Sequence, residues 1–276
     1  MGLSGNWPTV SHAYSASNCF PLELQVLLFK IFLAPILIAL ISLAGRKWGP
    51  GVSGWLLGIP FNSGPILFFL SVEQGKDFAA RTAVGSLLGI VAWSMFGLVY
   101  AWCCRRLTWW YSTLIGWAAY FLAAALILRM DLGVFAAFAL VAPVLSLILF
   151  VFPKPTHSGS PAAHGRYDLL LRMLTAAGMI VSLTETARLL GPMRSGILSA
   201  FPAYTTILAV FAHRHGAATA INVLRGVALG LYTAATFFLI LSPCLLRFSI
   251  ATAFLLASAG GLLVQGMSLV YIRRHP

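Results

Sequence analysis

Nine apolar segments, each about as long as one bilayer crossing, run through this chain, at residues 22–44, 51–72, 83–104, 108–128, 133–152, 168–189, 193–212, 219–242 and 248–272. A helix rises about 1.5 Å per residue and needs about 20 residues to cross about 30 Å of hydrocarbon. Inside that layer only helices and closed barrels satisfy their own backbone. None of the nine segments alternates with a period of two. They therefore read as helices, and the fold class as all-α: a polytopic transmembrane bundle of about nine helices. Only 9% of the residues are charged and the mean hydropathy is +0.91, whereas soluble domains carry about 25% charge. Water is not the solvent for most of this surface, and the first expected partner is the lipid bilayer.

The chain also repeats itself, and the repeat decides how its helices are grouped. A shift of 142 lays Gly49-Pro50, Ser53-Gly54, Leu56 and Pro60 over Gly191-Pro192, Ser195-Gly196, Leu198 and Pro202, and pairs Lys30 with Arg172 and Arg46 with Arg188. A shift of 141 then pairs Gly75 with Gly216, Gly85 with Gly226, Gly89 with Gly230, Cys103 with Cys244 and Arg106 with Arg247. The chain accordingly divides into an external or interfacial tail (1–21), a first four-helix repeat (22–130), a linker helix with a cytoplasmic loop (131–167) and a second four-helix repeat (168–276). One helix between the copies makes the second enter the membrane from the other side. The repeats are thus expected to be inverted, an arrangement shared by many secondary transporters. Gly85-x-x-x-Gly89 and Gly226-x-x-x-Gly230 put small residues on one face of the third helix of each unit, where a neighbouring backbone can approach closely.

Loop charges set the expected orientation. Arg46, Lys47, Arg105, Arg106, Lys154, Arg166, Arg172, Arg214, Arg273 and Arg274 fall on one side, and Lys76, Arg81, Arg129, Arg188, Arg194 and Arg247 on the other. The larger basic set marks the cytoplasmic face, which puts the N-terminus outside and the C-terminus in the cytoplasm. The net charge of +12 has its place in these loops, and no basic run is interleaved with aromatics as a nucleic-acid groove requires. Nucleic acid is excluded as a partner. The four cysteines form no C-x-x-C and no Cys-His zinc spacing. Absent too are G-x-S-x-G, H-E-x-x-H, a phosphate-cradling glycine loop and an Asp-rich magnesium pair. Neither an enzyme nor a bound cofactor or metal is expected.

The candidate site lies where the repeat and the helix-breaking residues coincide. Pro60 and Pro202 each follow a Gly-Pro helix start by about ten residues. A proline removes a backbone donor and frees carbonyls in the preceding turn. Breaks at membrane depth have to be covered by protein or line a cavity, and paired breaks at matching positions point to a transport site. Asn62 and Ser63 follow the first break; Tyr204 and Thr205 follow the second. These six residues form the expected substrate site. Lys30 and Arg225 lie within apolar segments, where a charge costs roughly 2.5–3.5 kcal/mol on insertion scales; facing a cavity they would attract an anion, facing outward they would snorkel to headgroups. Glu185 is the expected ion-coupling carboxylate, with pairing to Arg188 on the same helix face as its structural alternative.

The phrase Gly-Pro-x-x-Ser-Gly-x-Leu-x-x-x-Pro with the later Gly-x-x-x-Gly resembles those of uncharacterised bacterial permease-like inner-membrane proteins with an internal duplication. More distantly it resembles the GlpM-type membrane proteins. That likeness implies a bacterial inner membrane and no particular substrate. The expected function is a secondary transporter or flippase for a small or lipid-linked anion, working by alternating access and compatible with a homo-oligomer. The alternative is a non-transporting scaffold of an envelope polysaccharide or lipid pathway.

Overall fold

A computed structural model describes residues 22–61, 63–154, 168–187, 194, 197–198 and 200–274. Its long elements are ten helices: α1 (Leu22–Trp48), α2 (Pro50–Leu56), α3 (Ser63–Glu73), α4 (Lys76–Cys103), α5 (Trp109–Ile127), α6 (Val134–Val151), α7 (Asp168–Ala187), α8 (Ala203–His213), α9 (Ala217–Arg247) and α10 (Ile250–Arg274). Among the described residues there is no strand.

The nine expected crossings separate into three kinds. Among the described residues five helices are long and apolar enough to span a bilayer: α4, α5, α6, α9 and α10 over Ile250–Ser268. The segments 51–72 and 193–212 are not continuous crossings. The first is split into α2 and α3, and in the second α8 begins afresh after Pro202, because the two prolines interrupt the backbone ladder. The side chains of α1 are described over 35–48 and those of α7 over 169–178. The tail 1–21 and most of the loop 155–167 lie outside the described residues.

Similar backbone detail occurs at positions 141 or 142 residues apart. Gly75 and Gly216 both have positive φ, 87° and 122°, and each is the residue that opens the long helix that follows, α4 or α9. Both positions need glycine, because an L side chain is strained at such φ. Each α2-like turn tightens before its proline. Gly58 N–H and Ile59 N–H donate to Trp55 and Leu56, and 142 residues on Ala200 N–H and Phe201 N–H donate to Ile197 and Leu198. Each proline then sits at the centre of a three-residue turn closed by Phe61 N–H to Ile59 O (2.7 Å) or Ala203 N–H to Phe201 O (2.8 Å). At Pro202, φ −77° and ψ 51° are those of an inverse γ-turn. The new helix starts with Gly64 N–H on Pro60 O or Thr206 N–H on Pro202 O.

The centre of the bundle is the pair α4 and α9, which are each other's counterparts in the repeat. They run antiparallel. At one end Lys76 Nζ donates to the Phe248 carbonyl (2.8 Å) and Ser242 Oγ to the Ala80 carbonyl (3.1 Å). At the other, Tyr100 OH meets His213 Nδ1 (3.3 Å) and Cys104 Sγ lies against the Ala217 carbonyl. Phe96, Tyr100, Leu87, Leu231 and Phe238 are buried here, while Phe135, Phe150, Leu255 and Leu263 turn outward from α6 and α10. Outward apolar residues of this density suit a hydrocarbon surround.

Glycine lets the two repeats interlock. A Cβ added to Gly54 would overlap the Val223 backbone, and one on Gly58 would overlap Gly230. Gly226 and Gly230 in turn sit against the backbone of Gly51 and Trp55. The mirror contact is present as well: Gly89, counterpart of Gly230, packs against Ile197 Cα and Ala200 Cβ, counterparts of Trp55 and Gly58. The close-approach role expected of the second Gly-x-x-x-Gly is therefore the observed one, and its partner is the broken-helix segment of the opposite repeat.

Candidate functional site

The two proline breaks face each other. Pro60, Phe61 and Ser63 from the first, and Ala200, Phe201, Pro202 and Tyr204 from the second, line one small cavity of about 30 Å³, closed by Trp93 from α4, Ala234 and Phe238 from α9 and Leu37 and Ile41 from α1. That space holds about one or two waters. A second, larger cavity of about 660 Å³ adjoins it, sharing Leu37, Ile59, Pro60 and Phe61 as a common wall. It runs along α3, α9 and α10 past Gly64, Phe68, Thr233, Phe237, Phe254, Ser258 and Gly261. Phe68 and Leu262 on its rim are exposed, so it is a groove between α3 and α10.

The expected site residues divide accordingly. Pro60, Ser63, Pro202 and Tyr204 are brought together around the small cavity. Thr205 stands one layer behind, fully buried, accepting the Trp93 Nε1–H at 3.0 Å. Asn62 lies outside the described residues. Lys30 and Glu185 are placed in α1 and α7, with their side chains outside the described residues. Arg225 is exposed on α9 and lines neither cavity. Arg172, the repeat partner of Lys30, is buried instead: its guanidinium stacks 4.7 Å from the Phe211 ring centre and Nη1 donates to Ser42 Oγ at 3.4 Å. No described charged side chain lines either cavity. A bare ion would leave its hydration shell for rings and aliphatic carbons there, a cost of several kcal/mol.

Four residues that the sequence reading passed over complete the breaks. The turn in each α2-like segment leaves a carbonyl with spare acceptor capacity, Trp55 O or Ile197 O. Gln265 Nε2 donates to Trp55 O at 3.0 Å, and Gln265 Oε1 accepts from Thr233 Oγ1. On the other side Tyr120 OH donates to Ile197 O at 2.6 Å, while Trp117 Nε1–H reaches Thr206 Oγ1 at 3.2 Å. Tyr120 and Trp117 also pack their rings against Phe201 at 5.1 and 5.8 Å. The usable signal was the 141 shift carried on into the last helix of each unit. Thr108 and Ser249 precede α5 and α10 at matching positions, so Trp117 aligns with Ser258 and Tyr120 with Gly261. Polar or aromatic residues at those positions were unexceptional in one helix and conspicuous only in the pair.

No family model, curated protein or solved structure matches the chain.

Proposed function

We propose that the chain is a membrane carrier that moves an amphipathic, lipid-linked anion between leaflets by alternating access of two inverted repeats. The observation that carries this reading is that both helix breaks border one cavity while their flanks differ. Beside the first break a groove is open; beside the second, Trp117, Tyr120 and Phe201 fill the equivalent place. The antiparallel course of α4 and α9 supports the inversion, since counterparts related by an axis in the membrane plane run in opposite directions. In this reading Pro60, Asn62, Ser63, Pro202, Tyr204 and Thr205 surround the point through which the substrate's neck passes. Lys30 and Arg225 draw the anionic headgroup along the bundle surface, and Glu185 couples an ion. The bilayer of a bacterial inner membrane is the setting, with the C-terminus cytoplasmic.

The apolar lining favours a second reading, a non-transporting scaffold of an envelope polysaccharide or lipid pathway. One experiment separates the two. Full-length protein is reconstituted in vesicles carrying a fluorescent phosphatidylglycerol, and dithionite bleaching reports transfer from the inner leaflet. The carrier reading expects bleaching of both leaflets with wild type, and a fall toward the empty-vesicle rate with Pro60→Ala and with Pro202→Ala at unchanged insertion. Wild-type rates in both variants remove the breaks from the mechanism. Absence of transfer by wild type, repeated with a panel of anionic lipids, leaves the scaffold.

A further inference from the structure

We propose that the groove beside the first break is a binding site for one acyl chain of a bilayer phospholipid. The second break shows what such a place holds when the protein fills it itself: the rings of Trp117 and Tyr120 from α5, seated against Phe201 and capped by Thr206. At the first break the positions at the same offsets are Ser258 and Gly261 on α10 and Gly64 on α3, and all three line the groove. Two rings and a hydroxyl present beside the second break are absent beside the first, while the backbone of the two breaks follows the same course. The groove encloses about 660 Å³, within the roughly 300–1,000 Å³ of ordinary ligand sites.

The chemistry of the walls selects the occupant. Phe68, Phe237 and Phe254 supply rings, and the hydroxyls are few: Thr233, already donating to Gln265, and Ser258. A charged headgroup would have only these two hydroxyls among the described residues to replace its hydration, whereas a hydrocarbon chain exchanges contacts with lipid for contacts with packed rings. Access is lateral, because the rim residues Phe68 and Leu262 are exposed on the faces of α3 and α10, and α10 is one of the five helices able to span. What adjoins such a rim in a membrane is acyl chain. The site goes beyond the carrier reading and does not depend on it.

The test is photolabelling of the full chain in vesicles containing phosphatidylcholine with a diazirine on one acyl chain, followed by peptide mapping. Label is expected to concentrate on the peptides holding Phe68, Phe237 and Phe254, and a headgroup diazirine is expected to leave them unlabelled. Importing the plug, Ser258→Trp with Gly261→Tyr, should cut that labelling at least five-fold while the outward-facing Phe135 and Phe150 label as before. The replacement is sterically feasible, since a Cβ on Gly261 meets nothing nearer than 3.4 Å. Gly64→Leu narrows the groove from the α3 side and serves as an independent variant should the double substitution fail to fold; a Cβ there has only Phe237 Cζ, at 4.0 Å. Even labelling of groove and outer belt, or unchanged groove labelling in a folded plugged variant, overturns the site. Labelling reads occupancy, not turnover, so a filled groove without lipid transfer keeps this site and rejects the carrier.

Discussion

The flanks of the two proline breaks share a backbone and differ in what fills them. Around Pro60 and Pro202 the same amides meet the same carbonyls at a constant offset. Yet α5 lays Trp117 and Tyr120 over the second break, while α10 presents Ser258 and Gly261 to the first. The comparison teaches that the break is fixed by local backbone chemistry, a proline and an α2-like turn, whereas access to it is set by two side chains on a neighbouring helix. It also shows two solutions to one hydrogen-bond problem: an amide reaches Trp55 O, a phenol reaches Ile197 O. The amide leaves room beside it and the ring does not.

The most severe test of the comparison asks whether the two copies face opposite ways. Single cysteines replacing Arg105 and Arg214 should react with a membrane-impermeant maleimide from one side only, and cysteines replacing Arg129 and Arg247 from the other. The packing of Cys104 beside Ala217 and of Lys76 beside Phe248 puts those loops at opposite ends of the α4–α9 pair. The outcome is all or none. Labelling of Arg105→Cys and Arg247→Cys from a common side would mean the copies do not oppose each other.

Next in size is removal of the plug. Tyr120→Ala takes a buried ring from the second flank, and large-to-small changes of this kind cost about 3–5 kcal/mol. A thermal melt in detergent should show that loss, and Gly261→Ala at the counterpart position should shift the melt far less. A similar drop in both would mean that Gly261, too, sits in a filled place. Gly58→Ala should cost about 3 kcal/mol, because the new methyl meets the Gly230 backbone and no side chain can turn away to relieve it. Gly64→Ala, one turn past the same break and facing the groove, should be neutral or slightly stabilising. A smaller loss than that of Tyr120→Ala or Gly58→Ala is expected of Tyr120→Phe. It deletes one donor while Ile197 O keeps the Ala200 N–H, so about 1 kcal/mol is at stake. A loss as large as that of Tyr120→Ala would show that the hydroxyl, not the ring, holds the second flank shut.

Much of this architecture was legible in the amino acids because its signals are local. The 142 and 141 offsets, the glycines at 75 and 216 and the prolines at 60 and 202 each impose a backbone state that no partner helix is needed to explain. Pro143 and Pro243 show the limit of that logic, since both sit inside continuous helices. At Pro60 and Pro202 the break follows i−3 turns, which are absent from the ladders around Pro143 and Pro243. Hydropathy alone reads 51–72 as one continuous apolar run where the structure has two short helices. The groove was not legible. It arises from what Ser258 and Gly261 lack relative to residues 141 positions earlier, and an absence leaves no mark in a single segment. Arg225 was ambiguous for a related reason: a charge inside an apolar run is visible, but the direction of its side chain around the helix is not.

The exchanged glycine contacts carry a consequence for how such a molecule can arise. Gly58 rests in the opposite half on Gly230, and Ala200 rests on Gly89, so each half finishes the interior of the other and neither owns a complete one. Reciprocal contacts of this sort are those of a symmetric pair, in which one surface complements itself. A single unit able to insert either way up would meet the same surface on its twin and need no covalent link. In the inverted-repeat reading proposed above, fusing the two copies makes each orientation permanent, and one flank is then free to lose its rings while the other keeps them.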